Sequence, residues 1–363
     1  MPKIDVIMPV RNGEKYIARA ISSLVPDAEF INKLIVINDG SNDRTASILS
    51  DLRWNGRLQI IHQPPLGIVR ALNGGLNAAE TALVARMDAD DVSLPGRLKA
   101  QIACLERSPK VAAVGSQVLL IDADGFPTGD TSNFPLTSRE VRRQLYEHGR
   151  CVVSHPSVVM RKDAVLACGA YRAPFEHAED FDLWLRLSER HPIENLADVF
   201  VHHRVHAKAV SEQFRSRQSF SRDLALYAAR ERARSGTDPC DGLSGIPNFE
   251  ELMSRTGEHG TIMQDLGTAY HAIDAIFEKR RAAMTVAAAR AISALAKERY
   301  LGQSRRNRYA LLRKAAWTSL MDLHFRTAFA TYSAFVQCRV ADSKFFRRML
   351  ESSRPGEARP RRA

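Results

Sequence analysis

A chain of 363 residues with 45% apolar content has room for about two to three ordinary domains and a sizeable core, which excludes global disorder. The formal net charge of +11 is concentrated at one end: residues 301–363 hold 14 Lys/Arg against 4 Asp/Glu, so the first 300 residues are nearly neutral and a nucleic-acid-binding core is excluded. No run approaches the ~18 apolar residues of a membrane span, the opening residues are too short for a signal peptide, and five cysteines without a Cys-x-x-Cys pair suggest neither a disulfide framework nor a zinc site, so a reducing cytoplasm is expected.

Ile4–Val10, an apolar run interrupted by Asp5 and containing Pro9, reads as a buried first strand. Asn12 follows in a turn and can cap a helix that carries Tyr16, Ile17, Ala20, Ile21 and Leu24 on one face. A second strand, Leu34–Ile37, ends in Asn38-Asp39-Gly40-Ser41-Asn42-Asp43-Arg44-Thr45, and Asp43 is the expected helix cap there. A third strand at 58–61 and a helix at 67–79, despite Gly74 and Gly75, lead to the apolar run 82–87 and then to Asp88, Asp90 and Asp91. Strand and helix alternating at this spacing imply a parallel, doubly wound sheet whose acidic groups gather on one edge. Asp88 and Asp90 point the same way if the strand geometry persists, and Asp91 the other way. Crowded carboxylates repel one another unless a cation or solvent intervenes, and hard oxygen ligands suit Mg²⁺ or Mn²⁺. The same stretch also reads as an acidic loop before the helix that follows Leu94-Pro95-Gly96-Arg97-Leu98.

Val111–Ile121 is a further strand closed by the turn Asp122-Ala123-Asp124-Gly125, and a helix is expected at 138–148. A strand over Cys151–Met160 carries Ser154-His155-Pro156-Ser157. Glu176-His177-Ala178-Glu179-Asp180 opens an amphipathic helix containing Trp184, and 193–206 is extended with His202-His203-Arg204-Val205-His206 near its end. Beyond about residue 210 the pattern turns helical. The expected organisation is an α/β domain at 1–215, a helix and turn-rich linker at 216–248, a helical region at 249–352 and a disordered basic tail at 353–363.

Pro9-Val10-x-Asn12, Asn38-Asp39-Gly40-Ser41-x-Asp43-x-Thr45, Asp88-x-Asp90-Asp91, Glu179-Asp180-x-x-x-Trp184 and Arg204-x-His206 stand in the order and spacing of one family. Over roughly residues 2–215 the chain resembles the family 2 inverting glycosyltransferases. The resemblance implies the GT-A fold, a Rossmann-like, doubly wound, mostly parallel sheet, here with an all-helical C-terminal extension outside the family's reach. It implies a metal-dependent inverting transfer from a nucleoside-diphosphate sugar, UDP-linked by preference, to a saccharide or lipid-linked saccharide acceptor in cell-surface glycan synthesis.

Carried over residue by residue, the resemblance places Pro9, Val10 and Asn12 in the nucleotide pocket and has Asp39 accept a base N–H. Arg70 matches a basic residue that reaches the nucleotide in some members, Asp88 would face the ribose and sugar, and Arg204 would pair with diphosphate oxygens. Asp90 and His206 would ligate Mn²⁺ or Mg²⁺, with Asp91 supporting them. Asp180, beside Glu179 at a helix start, would be the catalytic base. A neighbouring like charge and partial burial would raise its pKa toward a useful range. The pair also reads as acids favouring a helix N-terminus. His155 falls on the acceptor side, while Trp184 is either a wall of the acceptor pocket or a core residue. Asn38 stands where many members have an Asp. The rivals are a sugar nucleotidyltransferase, which should carry a better glycine-rich loop than Pro9–Gly13, and a non-catalytic nucleotide-sugar-binding protein.

In the basic region 301–352, aromatics such as Trp317, Phe325 and Phe335 alternate with Arg313, Arg326 and Arg339. Such helices read as solvated faces or as a peripheral attachment to an anionic membrane, on its inner face in this case. Deleting residues 301–363 is expected to abolish flotation with anionic liposomes; unchanged flotation would sink the membrane reading.

Overall fold

A computed structural model describes residues 1–206, 215–248, 263–264, 266–268 and 270. Met1–Ile246 form one compact unit and Pro247–Ala363 a second. Apart from those few positions, the expected helical region 249–352 and the tail 353–363 lie outside the described residues. No helix among the described residues is long and apolar enough to cross a membrane.

The first unit is built on a nine-stranded mixed sheet. Its parallel half consists of β1 (Ile4–Val10), β2 (Ile31–Asp39), β3 (Arg57–Gln63) and β4 (Leu83–Arg86), ordered β3-β2-β1-β4. The short β5 (Val92–Ser93), β6 (Ala113–Ile121), β7 (Pro127–Thr131), β8 (Val159–Arg161) and β9 (Ile193–Arg204) complete it. β8 joins the halves by pairing antiparallel with both β4 and β6, while β9 runs parallel to β6 and antiparallel to β5. β1 is buried along its whole length. Asp5 is tolerated there because Asn32 Nδ2 and the backbone N–H groups of Glu80 and Thr81 all donate to its carboxylate.

Helices α1 (Ile17–Ser22), α2 (Thr45–Asp51), α3 (Ile68–Ala78) and α4 (Arg97–Arg107) belong to the parallel half. α3 lies close on the sheet because Gly75 faces Ile7: a Cβ there would stand 2.4 Å from Ile7 Cγ2. α4 starts later than Leu94-Pro95 suggests, at Arg97, and is capped from outside. Both carboxylate oxygens of buried Asp27 receive N–H groups at its start, from Gly96 (2.9 Å) and Leu98 (3.0 Å). Asn12 does not cap α1. Its backbone is left-handed at φ 55°, and its Oδ1 receives the N–H of Asn42, tying the β1–α1 loop to the β2–α2 loop.

The remaining helices are α5 (Ser138–His148), α6 (Lys162–Ala167), α7 (Glu179–Arg190) and α8 (Arg215–Ser235). The strand expected over Cys151–Met160 is corrected to a 3₁₀ turn at His155–Ser157 followed by the three residues of β8. Pro156 lacks the N–H that a ladder needs at that point.

α7 is held by a buried ionic network. Asp182 is fully buried and receives Arg172 Nη2 and Arg186 Nη2, each at 2.6 Å, while Arg172 Nη1 reaches Asp238 at 2.7 Å, beyond α8. Burial works against the Asp182 charge, but the two guanidiniums outweigh it and hold the carboxyl below its usual range. Asp182→Asn would leave Arg186 without its anion and Arg172 with Asp238 in place of two. It is expected to cost about 3–5 kcal/mol in urea unfolding. A change under about 1 kcal/mol, the value of an exposed pair, would show that solvent already screens the network.

Candidate active site

The carboxyl edge of the parallel strands gathers the first group of residues. Pro9 and Val10 close β1, both buried. Asp39 closes β2 and receives Gln63 Nε2 at 2.7 Å and the backbone N–H groups of Leu66 (2.8 Å) and Gly67 (3.0 Å). Its two oxygens therefore first shape the loop that starts α3, and little capacity is left for the base contact expected of it. Arg70 is exposed on the first turn of that helix.

The second group follows β4. Asp88, Asp91 and His203 each offer a ligand atom, all within 4.8 Å of one another. Asp91 is buried; its Oδ1 receives the N–H of Arg204 (2.8 Å) and its Oδ2 lies 3.0 Å from His203 Nδ1. Asp90 Oδ2 lies 3.0 Å from His206 Nε2, and the His206 ring stacks at 5.3 Å on Tyr16. β9 thus returns to the acidic edge and delivers two imidazoles to it. Burial lifts the Asp90 carboxyl, with Asp88 and Asp91 adding repulsion, to about 6. For His203, burial opposes the charged form, but the Asp91 carboxylate and the charges of Asp88 and Asp90 prevail and raise it to about 9. Clustered carboxylate oxygens with flanking imidazoles fit a Mg²⁺ or Mn²⁺ ion, and the raised Asp90 marks how strongly the cluster seeks positive charge.

The third group stands at the start of α7. Glu179 is buried with one carboxylate oxygen unpaired, and Asp180 is half-buried, its Oδ1 accepting the N–H of Phe181 at 2.7 Å. Burial, with the Asp180 charge beside it, pushes the Glu179 carboxyl up to about 8, and burial also raises Asp180. Both carboxyls are therefore raised, and they titrate as one coupled pair.

Arg86, the last residue of β4, connects the second and third groups. It is 5% exposed, and its Nη1 lies 2.5 Å from Asp88 Oδ2. Its charge also acts on Glu179, Asp180, Tyr171 and His155. The reading of the sequence treated it as part of an apolar run. The usable signal was a single guanidinium closing that run, because a charge there must meet partners. His203 and Tyr16 were likewise underweighted.

For Trp184 the core reading holds, and the placement of Arg204 is corrected. Trp184 is fully buried and meets His155 edge-on at 5.9 Å, so it packs in the core rather than forming an acceptor wall. His155 is buried too, with Nε2 2.8 Å from the Tyr171 hydroxyl; burial drives its pKa far down and keeps it neutral beneath the site. Arg204 does not present itself to a diphosphate. It donates to the carbonyls of Asp90 (2.8 Å), Asp122 (2.9 Å) and Ala123 (3.3 Å), and its guanidinium covers the Tyr16 ring at 4.5 Å.

The profile described as Glycosyl transferase family 2 matches residues 5–166. The amylovoran biosynthesis glycosyltransferase AmsE of Erwinia amylovora is 30% identical over 215 residues, 58% of this chain and 79% of its own. The O-antigen biosynthesis glycosyltransferase WbnJ of Escherichia coli is 27% identical over 246 residues, 64% of this chain and 90% of its own. Residues 1–349 of TarS from S. aureus, crystallised with UDP-GlcNAc, superpose with a TM-score of 0.53 at 16% identity, covering 95% of this chain and 92% of that one. That structural likeness concerns the fold, whereas AmsE carries the kinship in sequence. With the motifs meeting on one sheet edge, this chain belongs to glycosyl transferase family 2 and is a glycosyltransferase of the GT-A fold.

Proposed function

We propose that the enzyme transfers a sugar with inversion from a nucleoside-diphosphate sugar, UDP-linked by preference, to a saccharide or lipid-linked saccharide in cell-surface polysaccharide synthesis. The observation that carries the reading is Arg86, which forms an ion pair with Asp88 and also acts electrostatically on the acid pair Glu179–Asp180. Support for the donor comes from TarS, whose crystals hold UDP-GlcNAc, and for the acceptor class from the amylovoran and O-antigen roles in the names of AmsE and WbnJ. The reading places the enzyme in the cytoplasm, with residues 301–352 meeting the inner membrane face.

Asp180, in its ionised form, takes the proton of the acceptor hydroxyl, with Glu179 beside it. The acceptor oxygen then bonds to the anomeric carbon from the face opposite the nucleotide, and the bond from that carbon to the diphosphate oxygen breaks. The electron pair leaves on the diphosphate and the proton stays on Asp180. Asp90 and His206, with the group Asp88, Asp91 and His203, would hold a divalent cation. When bound, such an ion supplies positive charge against the diphosphate. Pro9, Val10 and Asn12 are proposed for the nucleotide side and Arg70 for a basic contact at its rim. Asp39 shapes the pocket through the α3 loop, and His155 is proposed for the floor under the acceptor side, with Trp184 in the core behind it.

Asp180→Asn is expected to lower kcat by about 10²–10⁴-fold, whereas Glu179→Gln, which mimics the protonated acid, keeps most of it. Since Asp180 acts only when ionised and its pKa is raised, kcat/KM of the wild type should fall on acidification at a pH above the ordinary carboxylate range. Equal losses in both variants would overturn the assignment of the base.

Cation binding must displace protons from Asp90 and His203, whose pKa values are both raised. Calorimetric titration with Mn²⁺ should show affinity rising from about pH 5.5 to about pH 8 with proton release, and Asp90→Ala should abolish it. Affinity independent of pH would contradict this ligand set.

A further inference from the structure

His206 stands beyond the last residue of β9, so the ladder of the sheet does not fix its ring. Val205 gives its N–H to the carbonyl of Ile121 at 2.8 Å. One residue later the imidazole is met by the Asp90 carboxylate, whose Oδ2 lies 3.0 Å from Nε2, and by the ring of Tyr16. A cation affects these two contacts differently. The side chains of Asp90 and His206 are 34% and 15% exposed, so the gap between them is open to an ion. Their 3.0 Å separation is also about that of neighbouring ligand atoms around an octahedral ion with bonds of about 2.1 Å. An ion bound by both atoms takes the place of the hydrogen between them, and that contact then ceases to orient the ring. A metal-bound imidazole depends on a further partner for its orientation.

The Tyr16 ring is such a partner, its centroid 5.3 Å from that of His206 and the two planes tilted by 38°. Tyr16 is held in its turn. Its N–H donates to the carbonyl of Gly13 and its carbonyl receives the N–H of Ala20, each at 3.0 Å. The Arg204 guanidinium lies 4.5 Å from the ring and is anchored on the carbonyls of Asp90, Asp122 and Ala123. We propose that Tyr16 is a positioning residue for the cation, its ring holding the His206 imidazole where Nε2 and the Asp90 carboxylate share one ion. This rests on the cation ligands assigned under the proposed function. It adds to them a residue that no acidic or histidine motif contains, placed by the turn between β1 and α1 that also carries Asn12. The contact is made by the flat ring, so the hydroxyl is dispensable for it.

The test is a double-mutant cycle read by calorimetric titration of the full chain with Mn²⁺ at one pH. Tyr16→Phe should bind Mn²⁺ within about twofold of wild type, because it keeps the ring. Tyr16→Leu should bind on the order of tenfold more weakly. His206→Ala should lose more, and Tyr16→Leu combined with His206→Ala should bind as His206→Ala alone, because Tyr16 acts only through that imidazole. Tyr16 is half-buried, and melting of each variant in EDTA reports its fold without the ion. Wild-type affinity in Tyr16→Leu would overturn the proposal. So would losses that multiply in the double variant, which would place the effect on Arg204 or on the fold, and so would equal losses in Tyr16→Phe and Tyr16→Leu. Unchanged affinity in His206→Ala would instead overturn the ligand assignment itself, and this inference with it.

Discussion

Negative charge crowded on one sheet edge is the constraint that the rest of the molecule answers. Asp88, Asp90, Asp91, Glu179 and Asp180 stand in a loop after β4 and in the first turn of α7, in surroundings that penalise the ionised forms of Asp90, Glu179 and Asp180. The protein meets this with the buried guanidinium of Arg86, the raised imidazole of His203, and the raised carboxyl of Glu179 at about 8. A site balanced by protons and one arginine is ready to exchange those protons for a divalent cation. The same crowding raises both acids of the Glu179–Asp180 pair and couples them. Both sit in the first turn of α7, where the helix dipole favours an anion.

A charged edge of this kind is useful only if its carboxylates cannot spread apart. α4 lies under the acidic loop without reaching the site. Arg97 grips the carbonyl of Arg86, and Gln101 Nε2 bridges the carbonyls of Val114 and Ser157 at 2.7 Å each. Asp27 fixes the start of the same helix. Around α7 the Arg172–Asp182–Arg186 network performs the corresponding task, and Asp238 ties it to the segment after α8. These supporting polar groups are paired, while Glu179 Oε2, in the acid pair itself, is buried without a hydrogen-bond partner. Satisfied support around unsatisfied working groups is how a fold preorganises charge for a transition state.

The sequence was legible wherever a local signal sufficed. α5 was found residue for residue because its amphipathic pattern stops at Gly149, which adopts the left-handed conformation at φ 57° that ends a helix. The parallel half of the sheet followed from alternating strands and helices, and the motif residues from their order. What failed required knowledge of distant partners. Asp39, Arg204 and His155 are polar residues near the site, yet each is engaged by groups that no pattern announces: the Leu66 and Gly67 amides, the Asp122 and Ala123 carbonyls, and the Tyr171 hydroxyl. Arg86 was hidden for the converse reason. Its burial comes from the antiparallel pairing of β4 with β8, a strand shortened by Pro156 and not recognised at its true length.

Asp91 shows how far a supporting residue can govern the others. In the sequence it is only the third acid of a triplet. In the fold it receives the backbone N–H of Arg204 and faces the ring of His203, so it fixes where β9 ends. Arg204 then reaches back to the carbonyl of Asp90, and His206, two residues on, meets the Asp90 carboxylate. The short pairing of β5 with β9 fixes the register of this return, with Val92 opposite His202. A one-residue slip would turn His203 to the other face of the strand and break the contact with Asp91. The acidic motif and the histidine motif, more than a hundred residues apart in the chain, are therefore one structural unit joined through Asp91. The arrangement of the cation ligands is decided there, in the buried hydrogen bonds behind them, before any ligand arrives.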